Sequence, residues 1–141
     1  MNIPTNYFEL IVNEFKEVEK LCKEAKSPDD KLYFFSASYG IINRVMNFHC
    51  EPILVFMHQM LQTSHQMVAQ RLASPKTLDN ISNSLPNEIF ESLFSYFSLL
   101  IKEFENKDEN KIREVLEKFS NLSYATSGNG FYLYLRGKLS L

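Results

Sequence analysis

Residues 27–48 read Ser27-Pro28-Asp29-Asp30-Lys31-Leu32-Tyr33-Phe34-Phe35-Ser36-Ala37-Ser38-Tyr39-Gly40-Ile41-Ile42-Asn43-Arg44-Val45-Met46-Asn47-Phe48. A serine hydroxyl that can cap, a proline whose missing N–H is harmless in a first turn, and two carboxylates at the positive end of the helix dipole start a helix at Ser27. Spaced at about 100° per residue, Ser36, Gly40, Asn43, Arg44 and Asn47 form one narrow polar strip. Phe34, Phe35, Tyr39, Ile41, Ile42, Val45, Met46 and Phe48 fill the rest of its surface. A helix apolar over so much of its circumference is central to a bundle or faces a partner.

Upstream, Thr5 opens a helix that runs to about Lys26, with Phe8, Ile11, Val12, Phe15, Val18 and Cys22 on one face. Downstream, Glu51-Pro52 opens a third helix that reaches about Ala73, and Ser74-Pro75 begins a short helical turn carrying Leu78 and Ile81. After Asn83-Ser84-Leu85-Pro86, the residues Phe90, Leu93, Phe94, Phe97, Leu100, Ile101 and Phe104 make a helical stripe. Asp108 caps the last long helix, lined by Ile112, Val115, Leu116, Phe119 and Leu122 and closed by Ser127-Gly128-Asn129-Gly130. In the tail, Phe131, Leu135 and Leu139 fit a short helix, the favoured reading, while Phe131, Leu133 and Leu135 also alternate as a strand would. The expected fold is all-α, an antiparallel bundle of about five long helices plus short helical turns, forming a single helical domain over residues 1–141. Phe15, Phe35, Ile42, Leu61, Phe94, Phe97, Leu116 and Phe119 are the expected core.

The totals agree with one domain: 141 residues, 45% apolar and 23% charged, can bury a core without a metal or a disulfide. A net charge of −2 gives no electrostatic footprint for non-specific binding to nucleic acid or an anionic membrane. The stretch from Met1 to Asn6 has no basic region followed by an apolar one, so a cytoplasmic location is expected. The longest charge-free run, Pro52 to Gln70, carries eight polar residues among 19, which defeats a membrane-spanning reading. Cys22 and Cys50 are not a C-x-x-C pair and are expected to be buried, reduced and too far apart to bridge.

Charge is distributed unevenly. Residues 32–75 hold three charged side chains, Arg44, Glu51 and Arg71, while the other 97 residues hold 29. On the third helix Gln59, Gln62, Thr63, Gln66 and Gln70 make a neutral polar face opposite Ile53, Phe56, Met57, Met60, Leu61, Met67 and Val68. The sequence offers no other element large enough to cover that helix, so a second copy or another protein is expected to do so. A two-fold homodimer would use Phe56, Met60 and Met67, rimmed by Gln59, Gln66 and Gln70, since interfaces deplete charge and enrich methionine.

Three histidines raise the question of a metal. His58 and His65 are seven residues apart, about 10.5 Å along a helix axis, whereas zinc ligands sit about 2 Å from one ion. No Glu-x-x-His or His-Glu-x-x-His occurs, and no G-x-x-x-x-G-K, G-x-G-x-x-G or G-x-S-x-G, so neither a metal nor a cofactor is expected. The segment Arg44-Val45-Met46-Asn47-Phe48-His49 resembles the arginine–histidine motif of HEPN-family helical proteins, many of them ribonucleases. The resemblance spans six residues, with Val45 where the family usually has a polar residue. It implies Arg44 as a phosphate-binding or transition-state cation and His49 as the general base or acid at a dimer interface, suitable chemistry for attack by a 2′-hydroxyl. The leading expectation is a non-catalytic cytoplasmic protein that acts through protein–protein contacts and self-associates, without membrane or nucleic-acid partners. The alternatives are a HEPN-like ribonuclease using Arg44 and His49, and a bundle that binds a small molecule.

Overall fold

The computed structural model describes residues 1–73 and 85–141, of which 82% are helical. Six helices follow in order among them: α1 (Thr5–Glu24), α2 (Pro28–Met46), α3 (Pro52–Ala73), α4 (Asn87–Glu105), α5 (Glu109–Thr126) and α6 (Gly128–Leu135). The fold is an all-α bundle. The Ser74-Pro75 turn with Leu78 and Ile81 lies outside the described residues.

Two of the starts follow directly from their caps. The Ser27 hydroxyl accepts the Asp30 N–H at 3.1 Å with Pro28 in the first turn, and the Asp108 carboxylate accepts the Lys111 N–H at 3.1 Å. Between α5 and α6 the chain turns through Gly128, at φ +36°, where a side chain would strain the backbone. Gly130 is needed for a different reason: a Cβ there would lie 1.8 Å from the Tyr124 carbonyl oxygen. The tail is helical only as far as Leu135, with Leu139 beyond the end of α6, and Phe131 is buried.

α1 packs on α2 and α4, α2 on α3, α3 on α5, and α5 on α4, so the five long helices close a ring. Phe8 stacks on Phe104 at 5.0 Å and Phe15 meets Phe97 at 5.2 Å, so α1 and α4 run in opposite directions. Phe35 comes in from α2 to meet Phe97 at 5.2 Å. Phe15, Phe35, Phe97, Phe104 and Phe119 are fully buried, with Ile42, Leu61 and Leu116 beside them.

Three sequence expectations need correction. α5 lies along α3, so Ile53, Leu54, Met57, Leu61 and Val68 are buried within one chain and α3 needs no second copy to cover them. Phe94 is half-buried, at a surface cleft beside Lys31, and not in the core proper. Cys50 is exposed in the turn after α2, whereas Cys22 is buried; both are free thiols. Among the described residues no helix is long and apolar enough to cross a membrane.

Candidate functional site

α2 stops at Met46, two residues short of Phe48. The Asn47 N–H bonds the Arg44 carbonyl at 3.2 Å and the Phe48 N–H bonds the Val45 carbonyl at 2.9 Å, which tightens the last turn. Phe48 thereby leaves the helical surface and is 78% exposed. Tyr33, near the other end of the helix, is 74% exposed. Arg44 lies between them, also exposed.

Beside this face, the seam between α1 and α2 holds two clefts of about 390 and 410 Å³. Tyr7, Leu10, Val45 and Phe48 line the first; Val18, Leu21, Ala37 and Gly40 line the second. Glu14, Ile41 and Arg44 line both, which makes the two one continuous groove. Its floor is apolar, with Val18, Ile41 and Val45 buried. Its α1 rim carries Glu14 and Glu17, and its α2 rim carries Arg44. Among the described residues none of these three side chains has an ion-pair partner within 4 Å.

His49, by contrast, is half-buried in the α2–α3 turn. Its Nε2 lies 3.4 Å from Glu51 Oε2, and its ring stacks on Tyr7 at 6.3 Å between centroids. The same Glu51 oxygen accepts the Asn2 N–H at 3.2 Å, so His49 and Glu51 together hold the N-terminal segment against the turn. Arg44 lines the groove and His49 does not; Tyr7 neighbours both, and no hydrogen bond links them. A general base and a phosphate-binding cation must converge on one scissile group, whereas His49 is engaged by Glu51 and Tyr7 and Arg44 lines the groove.

On α3, Gln59, Gln66 and Gln70 are exposed, while Phe56, Met60 and Met67 are half-buried, the first two packed on the core. What α3 leaves open is mostly amide and hydroxyl, with Gln62 and Thr63 in the same band and Val55 as an apolar exception at 39% exposure.

One constellation has no local signal in the sequence. His65 Nε2 lies 2.9 Å from the Leu32 carbonyl oxygen, which can only accept, so Nε2 carries the proton. In the neutral ring Nδ1 is then the acceptor, and it takes the Tyr39 hydroxyl at 3.2 Å. The ring also lies parallel to Phe35 at 5.8 Å. Burial holds the His65 pKa below the usual imidazole value, against an opposing contribution from the Leu32 hydrogen bond, and burial raises that of Tyr39. Both ring nitrogens are engaged, so this histidine works as a clamp between α2 and α3. Among the described residues no three of His, Cys, Asp and Glu gather where they could hold a metal.

No protein-family model, curated protein or solved structure matches the chain.

Proposed function

We propose that this chain is a non-catalytic helical interaction protein, cytoplasmic in setting, that self-associates through the charge-poor surface centred on α2. The observation that carries the reading is the exposure of Phe48 and Tyr33, about three-quarters of each, on a segment whose single charge between Leu32 and Cys50 is Arg44. Exposed aromatic rings on a surface depleted of charge are the usual anchors of protein contacts.

The chemistry of the histidines supports a binding role over a catalytic one, since His49 is tied to Glu51 and Tyr7 and His65 has both nitrogens in use. An exposed free thiol at Cys50 suits a reducing compartment. Sedimentation velocity over a micromolar concentration series tests the proposal. The expected result is a species of twice the 16.5 kDa chain mass that grows with concentration. A monodisperse monomer at the highest concentration would remove self-association. RNA cleavage that disappears in a folded His49→Ala variant would replace the non-catalytic reading with the ribonuclease one.

A further inference from the structure

The groove and the helix beside it fit one another in charge. The α1 rim offers two carboxylates without partners among the described residues, Glu14 and Glu17, and the α2 face offers one cation without a partner, Arg44. Glu14 and Arg44 line both clefts, so they flank the same stretch of the groove. We propose that the occupant of the α1–α2 groove is α2 of a second copy, with Arg44 of each chain paired to Glu14 and Glu17 of the other. This rests on the self-association reading and specifies its geometry.

Symmetry decides the arrangement. A two-fold axis parallel to the groove and offset toward α2 lays each α2 into the other copy's groove, side by side and pointing the same way. Such an axis preserves position along the groove, so each Arg44 arrives opposite the acidic rim of the other copy. An axis across the groove would instead set glutamates against glutamates and arginine against arginine, which like-charge repulsion disfavours.

Two further features agree with a helix lying there. Gly40 sits mid-helix and exposed, where glycine weakens the helix relative to alanine, yet a Cβ at that position meets nothing within 4 Å in the single chain. Close approach of a neighbouring helix gives that glycine a use. Phe48, 78% exposed, stands at the end of the groove lined by Tyr7 and Leu10, and the same operation carries it to the corresponding end of the other copy's groove.

Charge reversal tests the pairing by sedimentation equilibrium on the full chain. Arg44→Glu alone, and Glu14→Arg with Glu17→Arg, should each raise the dimer dissociation constant at least about tenfold. Combining all three reversals should bring it back to within about threefold of the starting value. Gly40→Leu, a better helix former with open space around it in one chain, should keep the helical circular dichroism and weaken the dimer. A wild-type dimer that persists unchanged in the reversed variants or in Gly40→Leu overturns this geometry and leaves self-association standing; a wild-type monomer overturns both.

Discussion

Tyr39 on α2 donates its hydroxyl hydrogen to Nδ1 of His65 on α3 at 3.2 Å, and the opposite ring nitrogen donates to the Leu32 carbonyl at 2.9 Å. Burial favours the neutral imidazole, so the folded pKa lies below the unfolded value of about 6.5. The stabilising contribution is therefore complete above about pH 6.5 and declines as the pH falls through the folded pKa. Urea midpoints at about pH 7.5 and about pH 5.5 should differ more for the wild type than for His65→Gln. Glu109, held below the usual carboxylate range chiefly by a hydrogen bond from the Met1 amino group, loses its contribution only at more acid pH. An equal drop in both proteins would contradict the clamp.

The two thiols should separate cleanly. Burial pushes Cys22 up to about 11, and Cys50 is exposed. An aromatic disulfide reagent at about pH 8 should label one thiol per native chain quickly and the second only after denaturant is added, because the thiolate is the nucleophile. Two fast equivalents in the native protein would be inconsistent with this packing.

Arg71 joins the ends of α3, α5 and α6. Its Nε and Nη2 both donate to the Thr126 carbonyl, at 3.1 and 3.0 Å, and its guanidinium lies 4.1 Å from the centre of the Phe131 ring. Arg71→Ala should cost about 1.5–3 kcal/mol in urea unfolding, the range for hydrogen bonds from a charged donor. Arg71→Lys should recover only part of that, since an ammonium lacks both the planar fork and its stacking face. Full stability in the lysine variant would show that the fork is dispensable.

Phe97 and Phe94 lie on the same helix and differ in burial, the first fully enclosed and the second at the cleft beside Lys31. Phe97→Ala should cost about 3–5 kcal/mol and Phe94→Ala less than half as much. Equal losses in chemical denaturation would mean that Phe94 is as enclosed as Phe97.

What the sequence made legible was local. The Ser27-Pro28 and Asp108 starts, the helical stripes of α1, α4 and α5, and most of the core follow from cap chemistry and 3.6-residue spacing, which act within a few residues. The cover of α3 was not legible, because it comes from α5, two helices further along the chain, and nothing in either pattern encodes which non-consecutive helices meet. The Tyr39–His65 clamp joins residues 26 apart for the same reason. Phe48 was misplaced by a boundary: counted as helical it falls on the apolar circumference of α2, but the tightened turn after Met46 puts its ring outside. The strongest candidate surface thus came into view only with the end of one helix.

Light scattering on a sizing column, run on the wild type, Phe48→Lys and Gln66→Lys at one micromolar concentration, tests most directly whether α2 is the working surface. The wild type and Gln66→Lys should elute at twice the 16.5 kDa chain mass, because Gln66 lies on the α3 band, and Phe48→Lys should elute at the single mass. A Phe48→Lys protein that remains at twice the chain mass, or a wild type at the single mass, would contradict the account.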